Sequence, residues 1–244
     1  MLGVLVLAAG KSTRIAGITG GAPKPLMRLR GKRLIEWSLE WLASWGVRSV
    51  WVNLHYGAEA MRSALGDGGR YGLRIRYVYE PEIRGTAGAW RDVASVGGGS
   101  WLVVYGDNVM RFDLDRFVAV HRERGAAATV ALFDPARHAN TGIAGGRAVL
   151  GAGGRITGFR EGGAARAGEG ALVNAGAYLL EDEVLGYIPA GYQDFGRDVL
   201  PGLAEAGKLF GHVLEDDAYC LGVDTPERYA VAEALIEAGG VPLG

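Results

Sequence analysis

Short apolar runs rich in Val, Leu and aromatic residues recur at Val4–Ala8, Val50–Leu54, Leu73–Tyr79, Trp101–Tyr105 and Ala127–Phe133, with amphipathic stretches between several of them. This alternation predicts an α/β fold: a largely parallel, Rossmann-like sheet covered by helices. The clearest helix runs from Leu34 to Trp45. Leu34, Trp37, Trp41 and Trp45 form one stripe, Ile35 and Leu42 widen it, and Gly46 suits a C-terminal cap. The stripe is read as core packing. In the second half, Val149 and Leu150, then Gly151 to Gly154, then Ile156 to Phe159 predict a β-hairpin turning on glycine. Residues 162–170 are almost all Gly, Ala and charged residues, a loop composition, and the apolar segment Leu172–Leu180 follows. A last helix is expected near Pro226, with Thr225 as cap and Glu227 at the positive end.

Composition removes several functions. The 244 residues carry 26 Lys plus Arg against 27 Asp plus Glu, a formal net charge of −1, with no dense basic run. Such a chain lacks the electrostatic footprint of a nucleic-acid binder. The early apolar stretch Leu2–Ala9 is far shorter than the roughly 20 residues that span a bilayer and has no basic flank, so neither a signal nor a membrane anchor is expected. One cysteine, Cys220, and 4 scattered histidines exclude a disulfide scaffold and a structural zinc site, and point to the cytoplasm. Cys220 is expected to be a small buried hydrophobe. One compact domain spanning 1–244 is expected; oligomerisation stays open.

The chemistry-bearing segment is the first. A strand leads directly into Leu7-Ala8-Ala9-Gly10-Lys11-Ser12-Thr13-Arg14, where small residues let backbone N–H groups approach anionic oxygens. Gly10-Lys11-Ser12 imitates a Walker A loop, but that motif needs a glycine five positions before Gly10, where Leu5 stands. The chain contains no G-x-G-x-x-G, which removes the main argument for a dinucleotide-binding dehydrogenase. Asp194-Phe195-Gly196 has no kinase catalytic loop ahead of it. Together, the first segment, Pro23-Lys24-Pro25-Leu26, Gly106-Asp107, Gly85-Thr86-Ala87-Gly88-Ala89, Phe159-Arg160-Glu161, Asn174-Ala175-Gly176, Asp194 to Val199 and Thr225 to Tyr229 resemble the sugar-1-phosphate nucleotidyltransferase family, in order along nearly the whole chain.

That resemblance implies the nucleotide-diphospho-sugar transferase type of fold. It implies a nucleotide-binding half of about 1–125 and a sugar-phosphate-binding half of about 126–244. The implied reaction is attack of a sugar 1-phosphate oxygen on the α-phosphorus of a nucleoside triphosphate, with pyrophosphate leaving. The nucleophile is already ionised, so the protein needs only to align two anions and stabilise developing charge. By resemblance Arg14 meets the phosphates, Lys24 meets the α-phosphate, and Asp107 holds Mg²⁺. The implied nucleotide-binding set is Leu7, Ala8, Ala9, Gly10, Lys11, Ser12, Thr13, Glu80, Gly85, Thr86 and Gly88. Glu161, Asn174 and Gly176 should meet the sugar phosphate. The proline flanks of Lys24 restrict its backbone and aim the side chain. Asp107 falls at a strand's C-terminal end, where open α/β sheets place ligands.

Two positions depart from the family pattern. Most relatives carry Asp where this chain has Gly222; Asp224, two residues later, either replaces that metal ligand or only complements the following helix dipole. Gly162 replaces a phosphate-binding lysine, and Arg160 or Arg166 are the candidate substitutes. The Asp194–Val199 and Thr225–Tyr229 segments look most like mannose-1-phosphate guanylyltransferases and heptose relatives, which favours GTP. UTP, dTTP or CTP, a phosphocholine or phosphonate acceptor, and a non-catalytic nucleotide-sugar sensor are the alternatives.

Overall fold

The computed structural model describes residues 2–10, 15, 17, 20–143, 145–162 and 172–241. Most of the expected loop at 162–170 lies outside them. In chain order the elements are β1 (Gly3–Leu7), β2 (Arg28–Leu29), β3 (Lys32–Arg33), α1 (Leu34–Ser44), β4 (Ser49–Leu54), α2 (Ala58–Leu65), β5 (Arg74–Tyr79), α3 (Gly85–Gly97), β6 (Trp101–Tyr105), β7 (Asn108–Arg111) and α4 (Leu114–Glu123). There follow β8 (Ala128–Phe133), β9 (Ala139–Asn140), β10 (Arg147–Leu150), β11 (Ile156–Arg160), β12 (Leu172–Leu180), α5 (Leu200–Glu205), β13 (Leu209–Val213), β14 (Tyr219–Gly222) and α6 (Pro226–Glu237).

Among the described residues, nine strands form one mixed sheet. β6, β1, β4 and β5 run parallel side by side, as do β8 and β13. β12 is antiparallel to β6, β8 and β10, and β10 and β11 form the hairpin expected from the glycine-rich turn. β1 explains why its run is apolar throughout. Val4 and Val6 join the core on one face while Leu5 and Leu7 join the core on the other, so both faces of the strand are dry.

Helices cover both faces. The first core takes Ile35, Leu39, Trp41 and Leu42 of α1, Met61 of α2 and Phe117 of α4; the second takes Trp90 and Val93 of α3 and Leu200 and Leu203 of α5. Full burial of each such side chain contributes roughly 1.5–3 kcal/mol. The aromatic stripe of α1 is thus packing, as its spacing predicted. A third core seats Ala232 and Ile236 of α6 on Met27, Leu29 and Leu221. Thr225 caps α6 through the N–H of Arg228, and Asp113 caps α4 through the N–H of Arg116. Among the described residues no helix is long and apolar enough to cross a membrane.

Candidate active site

β1, β4, β5 and β6 end on the same side of the sheet, and the residues just past them build one cleft. Leu7, Ala8, Ala9 and Gly10 form one wall; Ile83, Gly85 and Thr86 form another; Asn53, Glu80, Tyr105 and Asp107 rise from the strand ends, with Pro25 and Tyr192 at the margins. Glycine at 85 is obligatory on two counts. Its φ is +74°, and a Cβ there would overlap the Gln193 carbonyl, which accepts the N–H groups of Ala87 and Gly88. Thr86 fixes the same junction, donating its hydroxyl to Asp194 Oδ2 (2.9 Å) and accepting from the N–H of Phe195 (2.8 Å). Gly88 lies one turn into α3 and packs against this junction, with a Cβ placing itself 2.9 Å from the Gly191 carbonyl. It is not part of the cleft wall.

Asn53, which the sequence did not single out, ties the two walls of the cleft together. Its Oδ1 accepts from the N–H of Ala8 (2.7 Å), its Nδ2 donates to Glu80 Oε1 (2.7 Å), and Glu80 Oε2 accepts from the N–H of Arg84 (2.9 Å). Asn53 and Glu80 are each 3% exposed. The signal lay in a polar residue interrupting an otherwise apolar run.

Beside the cleft stands a charged centre assembled from three distant parts of the chain. Lys24 Nζ donates to Asp107 Oδ2 (2.9 Å) and to Asp224 Oδ1 (2.6 Å), with the lysine side chain 3% exposed. Lys24 sits in a single 3₁₀ turn of residues Lys24–Leu26, entered from Pro23 and holding Pro25, which aims it inward. Asp107 follows Gly106, where a Cβ would meet Val6 Cγ1 at 2.8 Å, so the turn after β6 lies tight on β1. Burial pulls the Lys24 pKa down, but Asp107 and Asp224 outweigh it and leave the pKa raised, so the ammonium stays charged.

Gly222 explains its own departure from the family pattern. A Cβ there would lie 2.8 Å from Ile143 Cγ1, against an apolar side chain. Asp224 instead reaches the centre, and Arg228 Nη1 stands 3.5 Å from its other oxygen. Two carboxylates bonded to one nitrogen are close enough to share a cation. A hard dication held by one or two carboxylates, with phosphate oxygens and water completing its shell, suits this donor set. Among the described residues no group of three or more acidic, His or Cys side chains gathers to make a closed protein cage.

Glu161 is the residue after β11. Gly196 and Gly146 make room for it: a Cβ at Gly146 would stand 2.7 Å from Glu161 Oε2, and one at Gly196 would overlap that oxygen. Burial, with Asp194 adding, pushes the Glu161 pKa up. Asn174 carries structural bonds of its own. It lies inside β12 at an irregularity in the pairing with β8, where its Oδ1 accepts from the N–H of Gly176 (2.9 Å) and its Nδ2 donates to the Tyr178 hydroxyl (2.6 Å). Gly176, at φ +81°, backs onto the Tyr105 ring. Arg160 donates to the Gly162 carbonyl (2.9 Å) and pairs in register with Arg147 of β10. The expectations for Lys11, Ser12, Thr13, Arg14 and Arg166 lie outside the described residues.

Cys220 is fully buried and its S–H lies 3.4 Å from the Ala175 carbonyl, as a packed thiol should.

The family profile described as nucleotidyl transferase matches residues 3–238. A UTP–glucose-1-phosphate uridylyltransferase of Synechocystis is 32% identical over 84% of this chain and 56% of its own length. A mannose-1-phosphate guanylyltransferase of Mycobacterium tuberculosis is 30% identical over 98% of this chain and 65% of its own. The chain thus spans 56% and 65% of these two relatives. In fold it resembles HddC from Yersinia pseudotuberculosis complexed with GMP-PN, with a TM-score of 0.79 at 22% identity, covering 97% of this chain and 100% of that one. It also resembles a putative glucose-1-phosphate thymidylyltransferase from Bacillus anthracis, with a TM-score of 0.82 at 21% identity, covering 100% and 98%. With the family match running through every strand of the main sheet and all three parts of the charged centre, the chain belongs to the nucleotidyl transferase family.

Proposed function

We propose that the protein transfers a nucleotidyl group from a nucleoside triphosphate to a sugar 1-phosphate, releasing pyrophosphate. The observation that carries this reading is the convergence of Lys24, Asp107 and Asp224 at the cleft formed by Ala8–Gly10 and Gly85–Thr86. The small residues of the first wall allow close approach of a flat base, while Asn53 and Glu80 hold the two walls at a fixed separation. Lys24, charged and aimed by its prolines, neutralises and orients the phosphate under attack.

Asp107 and Asp224 are the residues that would hold Mg²⁺, which when bound would offset the charge of the phosphates and the leaving group. Their own contribution is to keep Lys24 protonated and in place. The nucleotide side is the half of about 1–125, and the half of about 126–244 supplies Glu161 for the sugar and Asp224 for the centre. GTP with a mannose or heptose 1-phosphate is the finer reading. The resemblance of the Asp194–Val199 and Thr225–Tyr229 segments supports it, as does the guanylyltransferase relative.

The test is pyrophosphate release with Mg²⁺ across GTP, UTP, dTTP and CTP, each paired with several sugar 1-phosphates and with phosphocholine. Release confined to GTP with mannose or heptose 1-phosphate is expected. Release with another base or sugar corrects the finer reading only, and release with phosphocholine alone moves the acceptor outside the sugars. No release in any pairing refutes transfer.

A further inference from the structure

Tyr105 ends β6 and lines the cleft, and the hydrogen bonds behind it run in one direction when every buried donor is to find an acceptor. The N–H of Gly176 can only donate, so the Asn174 side chain must turn its oxygen toward it and its NH₂ toward the Tyr178 hydroxyl. An amide NH₂ can only donate, so the Tyr178 oxygen accepts, and the single Tyr178 proton goes to the Tyr105 oxygen, 3.2 Å away. Tyr105 is left with one proton to give. No described residue bonds it: Glu161 and Asp194 are close enough to oppose its loss electrostatically, but neither makes a hydrogen bond to it. Glu161 has the complementary need. Its carboxylate, cradled by Gly146 and Gly196, has no hydrogen-bond donor among the described residues.

A buried chain that ends in an unspent donor, with an unspent acceptor held against the turn at Gly196, suits a group that is both at once. A sugar hydroxyl is such a group, accepting from the phenol and donating to the carboxylate. We propose that Tyr105 is a specificity-determining donor that, opposite Glu161, reads one hydroxyl of the acceptor sugar phosphate. Asn174 and Tyr178 are the positioning residues that set the direction of its proton. The inference rests on the proposed transfer to a sugar 1-phosphate, and adds to it which protein group discriminates among sugars.

The experiment takes the best sugar 1-phosphate from the substrate matrix and its set of monodeoxy analogues, and measures kcat/KM for the wild type, Tyr105→Phe and Asn174→Asp. Wild type should lose on the order of tenfold for one deoxy position. Tyr105→Phe should lose about tenfold on the parent sugar and nothing further on that one analogue, because both changes remove the same bond. Asp at 174 is acceptor-only, so Tyr178 must donate to it and Tyr105 must then donate to Tyr178, leaving only lone pairs toward the cleft. Asn174→Asp should therefore match Tyr105→Phe on the parent, and the double variant should be no worse than either single one. Melting temperatures confirm that each variant folds; should Asn174→Asp not fold, Tyr105→Phe alone decides. Parent kcat/KM unchanged in Tyr105→Phe, or losses that multiply at every deoxy position, overturns the inference while leaving transfer intact. A wild type without transfer to any sugar 1-phosphate overturns both.

Discussion

Asn53→Asp is the most informative single change, because it alters charge without altering shape at the buried join between the two cleft walls. Aspartate keeps an oxygen for the N–H of Ala8, but it places a second carboxylate where the Asn53 amide now stands, 2.7 Å from Glu80 Oε1. Two buried carboxylates so close cannot both ionise, so the folded variant retains a shared proton. The unfolded chain releases that proton above about pH 4. If the folded pair holds it to about pH 6–7, the shift is about two to three units at 1.36 kcal/mol each, roughly 3–4 kcal/mol at pH 8. For a chain of this size that is a fall in Tm of roughly 6–16 °C. The sign follows from the raised folded pKa. The folded state binds the extra proton, so the stability gap to wild type opens as pH rises through about 4 and is complete above the folded pKa. Thermal melts of wild type, Asn53→Asp and Asn53→Ala at pH 5, 6, 7 and 8 should show a gap that widens for Asp and stays constant for Ala. A gap for Asp of equal size at pH 5 and pH 8 would refute the reasoning.

At the charged centre, Asp107→Asn and Asp224→Asn should each lower kcat on the order of a hundredfold or more and weaken Mn²⁺ binding read by electron paramagnetic resonance; turnover within threefold of wild type would remove the carboxylate concerned from the chemistry. Gly222→Asp, which introduces the aspartate that the family resemblance implies there, should destabilise by about 1–3 kcal/mol in urea titrations because its Cβ meets Ile143, and an unchanged midpoint would show that Ile143 yields freely. Burial, with Asp107 and Asp224 adding, pushes the Cys220 thiol up to about 12. It should therefore ignore a disulfide reagent at pH 8 until denaturant is added, and stoichiometric labelling of the native protein would contradict the packing described.

Apolar periodicity carried the architecture well. The runs at residues 50–54, 101–105 and 127–133 fall on β4, β6 and β8 with boundaries off by at most one residue, and the helix expected at Leu34–Trp45 ends one residue sooner. The run at 73–79 likewise starts one residue late as β5. Less legible was the antiparallel insertion of β12 between β6 and β8, since an apolar strand carries no mark of its direction. In the site, Lys24, Asp107 and the two glycine-rich walls were readable because each stands in a motif of restricted backbone. Asn53 and Tyr105 were not, because their roles depend on partners 45 and 73 residues away in the chain. Asn174 was read as a sugar contact because an amide suits that task. Its bonds to Gly176 and Tyr178 become visible only once the irregular pairing of β12 is known.

The placement of β12 also bears on how the chain is made. β6 finds one neighbour, β1, early in synthesis, but its other edge is closed only by Ala177–Leu180 of β12. During translation the Trp101–Tyr105 segment therefore stands as an apolar open edge until some 75 further residues have left the ribosome tunnel. Over that interval, the strand that carries Tyr105 and leads to Asp107 is exposed to wrong pairing. A truncation just short of β12 would make that transient edge permanent.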